Sequence, residues 1–371
     1  MSSIHYSKNS GSSYSLTRAA GQKMKITKTV SIAVVISAVA GAGWLYSGGR
    51  QQAEKPVIIR VTESTTPNNY ELARKLTGRD ILKEEGVAIE PITVQGGGGG
   101  TVTMQALLAN NTDVTGGSVS IWVNAVGKGA KVKLLLPGGV TEQPEHSGLL
   151  VLEESGIHSI KDLVGKRIAV NVLGAEADFI IRTFLKQNGL TVSQVELVVV
   201  PAENQEQVLR SRQVDAIAWT TSGGTQFERA VEKGGVRRIP GSSSYETRGN
   251  TSLLTTCEGF REEFIAAHPD AVKRYLRAVD GARRIVWAEY RKNPERVRTA
   301  YADISKEKGG NPDLARYYRG PRWSPENQFI TDRDIQFWID KFVEDGILKP
   351  GQLKLSDIYT NEFNPAYKKN N

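Results

Sequence analysis

Ser159-Ile160-Lys161-Asp162-Leu163-Val164-Gly165-Lys166-Arg167-Ile168-Ala169-Val170 is the stretch from which the fold is read. Its first five residues read as a short capped helix. Residues 167–172 then read as a strand. The same alternation runs outward in both directions. Downstream come a helix over 178–188, a strand over 195–200, a helix over 206–212 and a strand over 216–219. Upstream, residues 57–61 are a β-branched run that makes a first strand. Residues 70–85 carry Leu72, Leu76, Ile81 and Leu82 at helical spacing and stop at Gly86. A strand over 87–94 runs into the glycines 96–100, followed by a helix over 101–109. A short strand over 113–115 leads through Gly116-Gly117-Ser118 into a helix ending near residue 126, and residues 131–136 are again a strand. Alternating strands and helices imply parallel strands joined by helical crossovers. After Phe260 the pattern is helical, with Pro269 breaking residues 264–290 into two helices. Residues 335–342 form a last amphipathic helix. The body is therefore α/β, two lobes plus a helical C-terminal section. Lobe 1 spans 56–143 and 247–371, lobe 2 spans 144–246, and the chain crosses near residues 144 and 246.

The chain has 371 residues, 39% hydrophobic and 24% charged, ordinary values for a globular protein of about two domains. The first 42 residues differ. They carry Lys8, Arg18, Lys23, Lys25 and Lys28 and no acid, and residues 29–49 carry no charge. A basic stretch followed by an apolar core is the layout of an export signal. Met24 opens a more compact version of it, and Ala40-Gly41-Ala42 fits small-x-small cleavage. Residues 30–46 also serve as a membrane anchor if they are retained, being close to the roughly 17 residues that span a bilayer. Residues 1–55 thus comprise signal or anchor plus a polar spacer. There is no cysteine near residue 42 and no Arg-Arg pair before the apolar core, which argues against lipid anchoring and the twin-arginine route. Removing the five basic residues lowers the net charge from +8 to +3. The basic balance belongs to the leader, and no nucleic-acid partner is expected.

Enzymatic signatures are missing. There is no G-x-S-x-G, no H-E-x-x-H and no G-x-x-x-x-G-K-[ST]. The glycines 96–100 lack the sixth-position glycine of a dinucleotide fingerprint, so no cofactor is expected. His5, His146, His158 and His268 are scattered. Cys257 is the only cysteine, which excludes an intramolecular disulfide and any multi-cysteine metal site. What remains is a set of small polar loops at strand ends, where open parallel sheets bind ligands. They are Glu63 and Ser64 after the first strand, Gly97, Gly98 and Gly99, Gly117 and Ser118, and Gly174, Ala175 and Glu176. Glycine lets backbone approach a ligand, and helix N-termini offer free N–H donors. Trp219, at a strand end, reads as core or as a flat pocket wall.

At these residues the sequence resembles the substrate-binding proteins for nitrate, taurine and aliphatic sulfonates, with their thiamine-pyrimidine relatives. Residues 159–170 carry the superfamily signal. Met104-Gln105-Ala106-Leu107-Leu108-Ala109 with Asp113, Val214-Asp215-Ala216-Ile217-Ala218-Trp219, and residues 357–365 sharpen it. The resemblance extends over nearly all of residues 56–367. It implies a type II periplasmic-binding fold, a small-molecule solute held between the lobes, and an ABC importer permease and ATPase as partners. It implies a periplasmic, monomeric receptor with no catalytic residues or metal, and it puts Trp219 in the cleft. The family often has an aromatic and a glutamine after the first strand, where this chain has Glu63 and Ser64. A carboxylate there, and another at Glu176, disfavours an anionic ligand unless a cation offsets it. Sulfonate, nitrate, taurine and pyrimidine-like solutes all remain open. Two alternatives stand beside the receptor: a membrane-tethered ligand sensor, and an enzyme of the thiamine-pyrimidine synthase branch. The latter normally carries a cysteine-rich motif that this chain lacks.

Overall fold

A computed structural model of the chain describes residues 57–94, 100–141, 147–220, 224–249 and 252–368. The leader expected over residues 1–55 and the crossover expected near residue 144 lie outside the described residues. Ten strands are present among the described residues: β1 (Ile58–Thr62), β2 (Ala88–Ile92), β3 (Val114–Ser118), β4 (Val132–Thr141), β5 (Gly148–Leu152), β6 (Arg167–Val170), β7 (Glu196–Val199), β8 (Ala216–Trp219), β9 (Val236–Arg238) and β10 (Leu253–Arg261). They form two five-stranded sheets, in the orders β2-β1-β3-β10-β4 and β7-β6-β8-β5-β9.

Within each sheet four strands share a direction and one opposes it. In the first, β1 is parallel to β2 and β3, and β10 runs antiparallel to β3 and β4. In the second, β6 is parallel to β7 and β8, and β5 runs antiparallel to β8 and β9. Each lobe is thus a mostly parallel sheet flanked by helices. The two opposing strands, together with the three-residue β9, are the ones that the sequence pattern does not reveal. Leu149, Leu150 and Val151 of β5 are wholly buried. A continuous apolar run of that kind has no period-2 signature. In β10 the run Thr255-Thr256-Cys257-Glu258-Gly259 has the composition of a loop, yet it pairs on both edges. Gly259 is required there. A Cβ at that position would stand 2.3 Å from the Lys133 carbonyl oxygen and 2.7 Å from the Trp122 ring, so only glycine lets β10 lie this close to β4.

Local chemistry sets the helix boundaries. Asn68 caps the helix Asn69–Thr77 in a reciprocal capping box with Glu71. The expected helix over 70–85 is in fact two, because Asp80 restarts the chain as Ile81–Glu84 by accepting from the Lys83 N–H at 3.1 Å. Ser159 and Asp162 form a capping box around Ile160–Leu163, and Pro269 begins Pro269–Lys292 immediately after Glu262–Ala267. Ile59, Leu72, Leu135, Phe260 and Leu276 share one core beneath the first sheet. The second sheet is packed on both faces, with Leu149, Ile168 and Ile181 on one and Leu150, Ile217 and Trp219 on the other. Each such side chain removed from water contributes about 1.5–3 kcal/mol. A further cluster joins the lobes. Phe179, on the helix Glu176–Gln187, packs edge-on against Trp338 at 4.6 Å and Phe337 at 5.8 Å, both on the helix Asp332–Glu344.

Candidate functional site

β1 ends beside the first residues of β3 at one rim of the first sheet, and the chain leaving β1 turns there before entering the helix Asn69–Thr77. An open cavity of about 1160 Å³ lies beside this rim. Asn68, Tyr70 and Tyr301 face it from the first lobe, and Thr225, Gln226 and Glu228 from the start of the helix Gly224–Glu232, which follows β8 of the second sheet. Between them the cavity is lined by Glu258 of β10 and by the segment 317–324. A smaller cavity of about 170 Å³ lies at the end of β1 and the start of β3. Thr66, Asn68, Tyr70 and Glu258 line both.

Three arginines line the large cavity. Arg319 pairs with Glu228 at 3.0 Å, and Arg291 lies over the Trp287 ring at 5.0 Å. The Arg322 side chain has no hydrogen-bond or ring partner among the described residues, while its carbonyl accepts from the Val140 N–H at 3.3 Å. Crowding by the cleft walls disfavours its charge and lowers its pKa to about 10, against the opposing pull of Glu176, Glu228 and Tyr318. Its surface remains open to the cavity. An enclosed, accessible guanidinium of this kind presents several N–H donors to an acceptor-bearing solute.

Glu258 is the matching acid. It is half-buried, and burial pushes its carboxyl up, opposed by Arg283 and by a hydrogen bond from Tyr275. That bond is long, with the Tyr275 hydroxyl donating to Oε2 at 3.5 Å. Arg283 does not complete the pairing, because it donates to Asp280 at 2.7 Å and to the Pro137 carbonyl at 2.6 Å.

The loops read from the sequence are distributed unevenly. Glu63 and Ser64 line the small cavity. The Glu63 carboxylate accepts from Thr93 Oγ1 at 2.9 Å, and Ser64 Oγ accepts from the Thr66 N–H at 3.1 Å. Gly97, Gly98 and Gly99 lie outside the described residues. Gly100, which ends that run, lies against the end of β3 and lines neither cavity: a Cβ on it would stand 3.8 Å from the Gly117 Cα and 2.7 Å from Ile121 Cδ1. Gly117 and Ser118 are strand residues rather than a loop, since they pair with Cys257 and Thr256 of β10. Gly174, Ala175 and Glu176 line neither cavity. The Gly174 N–H is taken by Asp178 at 2.8 Å, and Ala175 is packed in the cluster that joins the lobes. Glu176 is buried, accepts from the Ser244 hydroxyl and stands 3.8 Å from Arg248. Desolvation pushes its carboxyl up, against the pull of Arg248 and the Ser244 bond. Trp219 is corrected from pocket wall to core. It is 2% exposed and meets Phe227 edge-on at 6.3 Å, because its position on β8 points the indole into one packed face of the second sheet. Sequence reading missed Glu258 and Arg322. Neither lies in a motif, and both reach the cavity only through the pairing of β10 and the return of the C-terminal segment.

The comparisons with known proteins agree with this architecture. The alkanesulfonate-binding protein SsuA from Xanthomonas axonopodis pv. citri, bound to MOPS, has a TM-score of 0.63 at 17% identity, over 83% of this chain and 99% of that one. The Candida albicans CA3427 product, described as having the generic periplasmic binding protein fold, has a TM-score of 0.56 at 13% identity, over 83% and 96%. The desulfurization enzyme DszB has a TM-score of 0.54 at 16% identity, over 82% and 97%. At these identities the likeness is one of fold, and that fold serves both binding proteins and an enzyme. No curated protein matches the chain. The family model described as NMT1/THI5 like matches residues 80–296, more than half of the sequence. With its two mostly parallel sheets and a cavity lined from both lobes, the chain belongs to the NMT1/THI5-like family.

Proposed function

We propose that the protein is an extracytoplasmic solute-binding receptor that delivers a small molecule to the permease and ATPase of an ABC importer. The observation that carries this reading is the cavity lined from both lobes, with Tyr70, Tyr301 and Arg322 from one and Thr225, Gln226 and Glu228 from the other. A site built in this way binds by closure, since each lobe alone supplies only half of the contacts. Of the two carboxylates first expected to repel an anion, Glu176 lines neither cavity and is held by Ser244 and Arg248, whereas Glu63 stays at the small cavity with one bond from Thr93. Arg322 supports recognition of an acceptor-bearing group. Sulfonate, nitrate, taurine and pyrimidine-like compounds form the solute panel.

An enzymatic reading is less well supported. Cys257 is buried on β10 and burial raises its pKa well above that of a free thiol, which makes it a poor nucleophile. Tethering to a membrane depends on residues outside the described ones. Among those described, no helix is long and apolar enough to cross a membrane. The test is a thermal-shift screen of the purified protein against the panel. A solute at 100 times its Kd adds about 2.7 kcal/mol of stability and raises Tm visibly. No shift from any solute would sink the receptor reading.

A further inference from the structure

We propose that Glu258 is a specificity-determining residue of the cleft, whose carboxylate accepts a hydrogen bond from an amino or amidino N–H of the solute. The inference rests on the receptor reading and narrows it, from any small solute to one bearing an N–H donor.

Three observations converge on this carboxylate. The first is position. Glu258 lines both cavities, so a group that reaches from the open cleft toward the end of β1 and the start of β3 passes it. Its backbone is fixed on both sides, opposite Gly116 of β3 and Leu136 of β4, so the side chain projects from a central strand rather than from a mobile loop. A site on a sheet holds its geometry better than one on a loop.

The second is unmet acceptor capacity. An ionised carboxylate has about four lone-pair sites. Among the described residues Glu258 receives one long bond, from Tyr275 at 3.5 Å, and it forms no ion pair at salt-bridge distance. Its neighbouring cation is spent, because both ends of the Arg283 guanidinium are bonded to Asp280 and Pro137. The buried carboxylates Asp113 and Glu206 are treated otherwise. Asp113 receives Arg60 and Arg261, and Glu206 receives Arg210, Arg229 and Lys233. Leaving one acid under-bonded costs stability, and that cost is recovered when a donor arrives.

The third is the surroundings. The neighbours that share both cavities are Thr66, Asn68 and Tyr70. They offer polar atoms and an aromatic face but no cation, and none of the three arginines of the large cavity forms an ion pair with the acid among the described residues. Lys308 lines the small cavity but is held by Glu71 at 2.8 Å. A nitrogen-bearing solute group is the donor that the site lacks.

The test uses probes in matched pairs that differ in the N–H group: taurine with ethanesulfonate, 3-aminobenzenesulfonate with benzenesulfonate, and 4-aminopyrimidine with 4-methylpyrimidine. Thermal shift and titration calorimetry are run on the wild-type chain, on Glu258→Gln and on Glu258→Asp. Unfolding of each variant without solute checks that it folds. The expected result is that at least one amino member binds 10-fold or more tighter than its partner. Glu258→Gln erases the preference and Glu258→Asp keeps part of it. If amino-free members bind as well as their partners, or if Glu258→Gln leaves the preference intact, Glu258 is overturned as the donor-reading residue while the receptor reading stands. If no probe shifts the melting temperature, both fall together.

Discussion

Arg322 and Trp219 show how differently two conspicuous side chains are used. Arg322 faces the cleft without a side-chain partner among the described residues, so its removal should weaken binding and spare the fold. Arg322→Met is expected to raise the Kd of an acceptor-bearing solute about 10- to 100-fold, the worth of a charged hydrogen bond of about 1.5–3 kcal/mol. Its urea midpoint should stay close to that of the wild type, and a large fall in the midpoint would reveal a packing role instead. Trp219 behaves in the opposite way. Its indole is enclosed against Phe227, and Trp219→Ala is expected to cost about 3–5 kcal/mol of stability, as large-to-small changes in a core do. Urea unfolding reads this directly. A stable variant that has lost solute binding would return Trp219 to the cleft. Both residues were equally legible as letters. Only Trp219 was singled out, because tryptophan at a strand end is a recognisable pattern, whereas an arginine in the irregular segment 318–324 is not.

At the level of elements, the strands of the first sheet are pinned at one end by a charge cluster. Asp113, just before β3, accepts from Arg60 Nη2 of β1 at 2.6 Å and from Arg261 Nη2 at the end of β10 at 2.7 Å. Burial alone would raise the Asp113 carboxyl, but the bonds from Arg60 and Arg261 outweigh it and the net shift is downward. A carboxylate with a depressed folded pKa contributes stability above its unfolded pKa, and that contribution is lost as pH falls through the folded value. The wild type is therefore expected to lose stability between about pH 4 and the lower folded pKa. Asp113→Asn should cost roughly 1.5–3 kcal/mol at pH 7 and show a flatter acid limb in urea midpoints measured from pH 7 to pH 3. Parallel acid limbs in the two proteins would disprove the assignment. Most elements were readable because their caps and periods are local: the Ser159–Asp162 box, the Pro269 break and the β8 run. β5, β9 and β10 were not, since a wholly buried strand and a strand of threonine, cysteine, glutamate and glycine do not alternate in polarity, and three residues are too few to show a period.

Over the whole molecule, two pairs of ions reach across the cleft. Arg316 meets Glu232 at 2.9 Å and Arg319 meets Glu228 at 3.0 Å, joining the C-terminal segment to the helix Gly224–Glu232. Surface pairs of this kind contribute only about 0–1 kcal/mol each, enough to bias an open–closed equilibrium without fixing it. The double variant Glu228→Gln/Glu232→Gln is expected to unfold at nearly the wild-type midpoint but to show a larger radius of gyration without solute in small-angle X-ray scattering. An unchanged radius would mean that the packing of Phe179 on Trp338 alone sets the lobe spacing. The sequence by itself determined the α/β class, the strand–helix rhythm of both lobes and most helix boundaries, because capping, proline breaks and amphipathic periods act within a few residues. It also picked out Glu63 and Ser64, which line the small cavity, from their place after the first strand. The tertiary structure alone decided which polar groups face the cleft and which are consumed inside the lobes. Glu176 is neutralised by Arg248, 72 positions further along the chain, and Glu258 is exposed to both cavities by strands that pair over more than a hundred residues. Partners so distant in sequence leave no local pattern, and it is their presence or absence that separates a structural carboxylate from one left open for a ligand.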